Sequence, residues 1–239
     1  MSEAQYKVIS MLMGVLLVAS MLFVGREAAV FANSTSIIQA TQTTQTPCVV
    51  IDAGHGGFDP GKVGVGGVLE KDLNLTIALL VQNYLEANDI SVVMTRTTDE
   101  SLGDSASSNK KVEDMKERVA IIDENTPMLA VSIHQNSYIE EYVHGAQVFY
   151  FTQSAKGKEL ADTIQKSIVE RVDPNNTRPI KANDSYYLLK RTDTPIVIVE
   201  CGFLTNYDET ALLNDPVYQD QMAWAISMGI LQYISSGAQ

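Results

Sequence analysis

Positive charge is scarce in this chain: of 239 residues, 17 are Lys or Arg against 29 Asp or Glu, a formal net charge of -12. A surface this acidic repels the phosphates of nucleic acid and disfavours anionic membrane surfaces, so no nucleic-acid partner is expected. Cysteine is scarce too. Cys48 and Cys201 are too few for a disulfide framework; one bridge requires that the strands carrying them lie close together, and two buried thiols is the plainer reading. Histidine occurs three times, at His55, His134 and His144, and no internal repeat is apparent. What the chain has is 45% hydrophobic and 19% charged residues, a composition that buries one good-sized core and is neither disordered nor collagen-like. One globular domain is the expectation.

Lys7 is followed by VISMLMGVLLVASMLFVG, an 18-residue apolar run. As a helix it would span about 27 Å, close to the hydrocarbon thickness of a bilayer. Residues 1-32 are therefore expected to be a signal peptide or membrane anchor; Val30 and Ala32 ahead of Asn33 offer a small-residue cleavage pattern. Residues 33-47, rich in Ser, Thr and Gln and closed by Pro47, read as a flexible linker. The functional domain is then 48-239, exported and outside the cytoplasm.

Within that domain, apolar β-type runs at Cys48 to Asp52, Ile90 to Thr95, Met128 to Ile133, Ala146 to Phe151 and Pro195 to Glu200 alternate with helical patterns beginning near Lys71, Lys110, Ala155, Asp208 and Pro216. This is an α/β layout. Ligand crevices in such folds form at the carboxyl ends of strands, so residues there carry a functional expectation that mid-strand residues do not. Three apolar runs end in chemistry-bearing side chains: VVIDAGHGG in His55, MLAVSIHQNS in His134 and PIVIVECGFLTN in Glu200. Glu70, in GGVLEKDLNLT, stands just before an amphipathic helix marked by Leu73, Ile77, Leu80 and Leu85.

Imidazole nitrogen and carboxylate oxygen are donors that zinc prefers, and three protein ligands plus a water is the open arrangement of a catalytic site. Each residue also has a plainer reading. A strand-end histidine is commonly a hydrogen-bonded packing residue, and a glutamate at a helix start a dipole-favoured surface charge. Glu200 is harder to dismiss, because a carboxylate ending an IVIV run is costly to bury unless paired or metal-bound. Asp72 reads as a first-turn helix residue; Asp52 either orients a ligand or caps its strand; His144, which precedes a strand, reads as a loop residue.

The ordered segments IDAGHGGFDPG, LEKDLNL, MTRTTD, SIHQNS, GAQVFY and VECGFLTN resemble the signature of the zinc-dependent N-acetylmuramoyl-L-alanine amidases of the Amidase_3 type, from about Cys48 to the C-terminus. Within that family the likeness is greatest to the germination-specific, CwlD-type amidases of spore formers, given the short N-terminal apolar segment, GAQVFY, NNTRPIKAND and no wall-binding repeats. The resemblance implies a mixed sheet of about six strands flanked by helices, zinc held by His55, Glu70 and His134, and Glu200 as the catalytic glutamate. It implies hydrolysis of the bond between N-acetylmuramic acid and L-alanine, releasing stem peptides from spore-cortex peptidoglycan. It also implies a functional link to a muramic acid deacetylase that makes muramic-δ-lactam, and leaves room for an accessory protein.

Gly56 and Gly57 would allow a side-chain-free approach beside the metal, although tight-turn geometry explains them equally well. Arg96 and Arg118 could hold substrate carboxylates; the stronger reading is structural, since Arg118 falls in an amphipathic helix and Arg96 follows a strand. The polar segment from Asn175 to Tyr187 would rim the cleft or receive a partner. Two other classes stay open: another zinc hydrolase of the wall, a peptidase or sugar deacetylase, and a non-catalytic wall-binding or scaffolding protein.

Overall fold

A computed structural model of the protein describes residues 3, 11-14, 20, 47-103 and 107-237. The chain forms two compact units, Met1–Gln45 and Thr46–Gln239. The expected anchor and linker lie outside the described residues except at 3, 11-14, 20 and 47. Among the described residues no helix is long and apolar enough to cross a membrane.

The second unit is the expected α/β domain with a six-stranded mixed sheet. Its elements run β1 (Cys48–Ala53), α1 (Glu70–Glu86), β2 (Ser91–Met94), α2 (Lys110–Asn125), β3 (Leu129–Asn136), β4 (Gln147–Tyr150), α3 (Ala155–Arg171), β5 (Lys181–Ala182), β6 (Ile196–Phe203), α4 (Tyr207–Leu213) and α5 (Pro216–Ser235). The spatial order is β2-β1-β3-β6-β4-β5. β2, β1, β3 and β6 are mutually parallel, whereas β4 runs antiparallel to β6. The central strands are continuous β-branched runs because both faces of a parallel sheet are covered. The starts of α3, α4 and α5 carry side-chain caps: the Ser154 hydroxyl accepts from the Gly157 amide at 2.9 Å, Asn206 accepts from the Glu209 amide, and Asp215 caps α5 with Pro216 in its first turn.

Alternation along the strands divides the core. Val49, Ile51, Leu129, Val131, Val197 and Val199 pack against α1, α3 and α5, while Val50, Ala130, Ile196 and Ile198 pack with Ile122 of α2 and with Leu188 and Leu189 of a short 3-10 turn. The even-numbered series continues toward the strand ends through Asp52, Ser132, His134 and Glu200.

Three expectations are corrected. The expected strands Met128 to Ile133 and Pro195 to Glu200 run on to Asn136 and Phe203, because His134, Gln135 and Asn136 continue the ladder of β3 and Cys201, Gly202 and Phe203 that of β6. Between the pairs His134–Glu200 and Asn136–Phe203 the register shifts, one residue of β3, Gln135, facing two of β6, Cys201 and Gly202. Glu70 is the first residue of α1 rather than the residue before it. The two-residue β5 has no periodic signal in the sequence and is not among the expected strands.

Candidate metal centre and active site

The four residues singled out for chemistry meet at the carboxyl end of the parallel strands. His55 follows β1, Glu70 opens α1, and His134 and Glu200 are register partners on β3 and β6. His55, His134 and Glu200 line one cleft of about 370 Å3. A larger hollow of about 660 Å3, at the amino ends of β3 and β6, has no histidine in its walls.

His55 Nε2 stands 3.1 Å and His134 Nδ1 2.9 Å from the same oxygen, Glu70 Oε1. One nitrogen or oxygen atom from each of the three residues lies within 4.8 Å of the others, so the group can hold a metal ion. Tetrahedral zinc with bonds of about 2.0–2.1 Å needs donors roughly 3.4 Å apart, and a nitrogen, nitrogen, oxygen set is one it accepts. The residues therefore fit zinc. The outer contacts fit as well: His55 Nδ1 is 3.0 Å from Asp59 Oδ2, and as the donor there it leaves the Nε2 lone pair free. Glu70 is fixed by the Lys62 amide on Oε2 at 2.7 Å and the Gln135 amide on Oε1 at 3.1 Å, with the Asn74 side chain beside it at 3.4 Å. Burial works to raise the Glu70 pKa, yet the two imidazoles hold it well below the carboxylate range. For His55 burial works downward, and Glu70 and Asp59 outweigh it and raise its pKa. Such opposed shifts in one cleft mark a site where charge is concentrated for use.

The loop that presents His55 is braced by arginine. His55 itself has a left-handed backbone, φ 61°, a conformation worth ~1 kcal/mol or more of strain outside glycine. Arg118, 2% exposed, donates to the His55 carbonyl at 2.7 Å and the Ala53 carbonyl at 2.8 Å, and pairs with Asp52 and Asp114. Arg96 donates to the carbonyls of Ala53 at 2.9 Å, Gly54 at 3.0 Å, Lys71 at 2.8 Å and Thr98 at 3.0 Å. Both guanidiniums are spent on the protein, which decides for their structural reading. Asp52 orients the loop at one remove: it accepts from Thr95, Ser132 and Arg118 and stays charged, its pKa held at about 2 by these partners against the burial that would raise it. Two glycines make room for the site: a Cβ at Gly54 would sit 2.3 Å from the His134 ring, and one at Gly61 would sit 2.6 Å from Glu70 Oε2 and 2.7 Å from the His55 ring. The missing side chains of Gly56 and Gly57 face Glu100 and Ser101 instead, so turn geometry accounts for those two.

Glu200 is 6% exposed. Its Oε1 accepts from the Tyr186 hydroxyl at 3.3 Å, and its buried Oε2 has no hydrogen-bond partner among the described residues. Burial, reinforced by the nearby Glu70 charge, pushes its pKa up to about 7. An orphaned carboxylate oxygen in a cleft is an unspent proton acceptor.

His144 is an exposed loop residue whose ring lies 3.0 Å from the Tyr142 carbonyl, and Asp72 is an exposed residue of the first turn of α1. The segment from Asn175 to Tyr187 does rim the cleft, through Ser185, Tyr186 and Tyr187. Cys48 and Cys201 are free thiols, on strands that β3 separates. Sequence reasoning missed Asp59, Asn74 and Tyr186. Asp59 lies four residues after His55, a spacing that carried a faint signal; Tyr186 carried none.

The sequence pattern of the family described as N-acetylmuramoyl-L-alanine amidase matches residues 49–232. A germination-specific N-acetylmuramoyl-L-alanine amidase of Bacillus subtilis is 38% identical over 190 residues, which cover 78% of this chain and 79% of that protein. The CwlD amidase of Clostridioides difficile, solved in complex with the GerS lipoprotein, is similar at a TM-score of 0.77 and 39% identity, covering 80% of this chain and 99% of that one. An N-acetylmuramoyl-L-alanine amidase from Clostridium difficile 630 is similar at a TM-score of 0.72 and 34% identity, covering 80% and 98%. With a family match over nearly all of the second unit and a matching fold, this chain belongs to the N-acetylmuramoyl-L-alanine amidases, enzymes that hydrolyse an amide bond of peptidoglycan.

Proposed function

We propose that the enzyme is a zinc amidase in which His55, Glu70 and His134 hold the metal and Glu200 moves the proton. The observation that supports this reading most is the unpartnered Glu200 Oε2 in the cleft shared with His55 and His134. Zinc, when bound, supplies Lewis acidity that acidifies water and polarises an amide carbonyl. Glu200 Oε2 takes the proton of the attacking water and delivers it to the L-alanine nitrogen as the carbon–nitrogen bond to the muramic lactyl group breaks. The Tyr186 hydroxyl holds the other oxygen, Oε1, so that the same carboxylate atom serves both transfers. Asp59 keeps the His55 ring in one tautomer, and Arg118 keeps its loop in place.

The likeness to a germination-specific relative supports a role in spore cortex. The enzyme would strip stem peptides from selected muramic acids for a partner deacetylase to convert to muramic-δ-lactam. Export by residues 1-32, as anchor or cleaved signal, suits such a place outside the cytoplasm. The lipoprotein bound to the Clostridioides difficile relative supports an accessory protein here as well.

Zinc content of the purified domain, with mass spectrometry of digested peptidoglycan, tests the chemistry. Stoichiometric zinc and stem peptides with a free L-alanine amino group are expected. Cuts inside the peptide would mean a peptidase, release of acetate a deacetylase, and neither product with no zinc a binding protein. Muropeptide analysis of spores from a deletion strain tests the cortex role, which normal muramic-δ-lactam would refute.

A further inference from the structure

Beside the catalytic cleft lies a second pocket of about 400 Å3, and Tyr186 belongs to both. Its aromatic walls are Tyr138, Phe149, Tyr186 and Phe203, its charged groups are Arg178 and Lys181, and no carboxylate lines it. In a chain of net charge -12 that is an unusual place. The guanidinium of Arg178 lies 4.6 Å from the centre of the Phe203 ring and the Lys181 ammonium 5.6 Å from that of Phe149, so ring faces hold both cations in position. Neither cation has a carboxylate within salt-bridge distance among the described residues. Arg178 Nε donates to the His144 carbonyl at 2.6 Å and Nη1 to the Gln147 side chain at 3.5 Å; Nη2 makes no hydrogen bond among the described residues. By contrast, the other two arginines near the site, Arg96 and Arg118, donate through every guanidinium nitrogen.

Position matters as much as charge. Gln147, in the pocket wall, is the register partner of Glu200 on the neighbouring strand, which puts the pocket one strand away from the proton-transferring carboxylate. An extended peptide advances about 3.3–3.6 Å per residue, so a side group one or two residues beyond the cleaved amide reaches that far. Peptidoglycan stem peptides are short acidic peptides. An ordered guanidinium with no carboxylate within salt-bridge distance, and an ammonium in the same pocket, is the chemistry that binds a carboxylate.

We propose that this pocket is the subsite for the first free carboxylate of the stem peptide, with Arg178 and Lys181 as its cations and the aromatic walls packing the adjoining peptide. The proposal rests on the amidase reading for the identity of the ligand, and two measurements keep them apart. The first is calorimetric binding of two stem tripeptides identical except that the carboxylate of the second residue is free or amidated. The second is turnover of the corresponding muramoyl tripeptides. The wild-type protein is expected to bind and cleave the acid about 10-fold better than the amide, the difference lying in KM. Arg178→Gln combined with Lys181→Gln should abolish that preference while leaving kcat on the amidated substrate within about 2-fold. Lys181→Gln alone removes an exposed side chain with little packing cost and should reduce the preference by about 3-fold. Equal affinity for acid and amide in the wild type, or a preference that survives in the double variant, overturns the subsite whatever the turnover. Discrimination between the peptides without cleavage of either substrate would uphold the subsite and overturn the amidase reading instead.

Discussion

The two faces of the sheet are built from the same three strands and differ in what covers them. Odd-numbered residues of β1, β3 and β6 meet α1, α3 and α5 and are almost all aliphatic. Even-numbered residues meet α2, a single 3-10 turn and the Tyr186 loop before it, and toward the carboxyl end the series changes from Val50, Ala130 and Ile198 to Asp52, Ser132, His134 and Glu200. Full cover leaves room for nothing but packing. Partial cover desolvates polar groups enough to shift their proton affinity while a cleft still admits substrate. One sheet thus carries stability on one side and chemistry on the other, and substitutions on the two sides should fail in different ways.

The most drastic failures belong to the thinly covered side. His55→Ala, Glu70→Ala and His134→Ala should each lose zinc and with it nearly all activity, because three ligands leave little redundancy. Metal analysis of the purified variants checks this, with His144→Ala as a control that keeps both; stoichiometric zinc and normal turnover in any of the three would remove that residue from the ligand set. Glu200→Gln should retain zinc and fold yet turn over ~10²–10⁴-fold more slowly, since it deletes the proton acceptor at almost constant shape. Activity within a few-fold of wild type would end its assignment, and zinc loss would recast it as a ligand.

The thickly covered side should show the opposite split. Leu160→Ala, at a fully buried position of α3, should cost ~3 kcal/mol of stability and leave kcat per folded molecule unchanged. A denaturation curve beside an activity assay separates the two quantities, and a large fall in kcat at full folding would break the contrast between the faces.

Asp52 tests the boundary between them, being a buried charge whose partners brace the His55 loop. Its pKa is depressed to about 2, so its contribution is complete above the ordinary carboxylate value of ~3.9 and is lost as pH falls toward 2. Asp52→Asn should therefore cost ~2–3 kcal/mol at pH 7, by taking from Arg118 the more deeply buried of its two carboxylate partners, and progressively less below pH 4. Urea midpoints at pH 7 and pH 3 provide the check; a penalty independent of pH would assign the effect to lost hydrogen bonds rather than charge.

What could be read in the sequence follows the same division. The β-branched runs, the amphipathic helices and the four residues His55, Glu70, His134 and Glu200 stand in local patterns that periodicity or the family's ordered motifs pick out. Tyr186 does not, and Gly54, although inside the first of those motifs, carries no sign of what it touches. Tyr186 matters because a loop after β5 folds back over β6, and Gly54 because of one ring from β3; both are long-range contacts with no imprint on neighbouring residues. The strand ends were misjudged for a related reason: His134, Gln135 and Asn136 are polar, and polarity near a strand end looks like a loop until the partner strand is known. The arginines are a milder case. Arg118 on α2 already favoured a structural role, but the carbonyls it grips lie in a loop that its own helix does not announce.

The register shift near the end of β6 works as a frameshift in the two-letter code of a strand. Upstream, alternate residues keep one frame, which sets Glu200 on the catalytic side; after one extra residue the frame inverts, and Phe203, three positions on, joins that side under Arg178. The wall that carries Glu200 and the proposed peptide pocket are therefore written in different frames of one strand. A gain or loss of a single residue beyond Gly202 would re-aim the pocket wall without moving Glu200 out of phase, so the part proposed to select a substrate can change while the part proposed to cut it stays as it is.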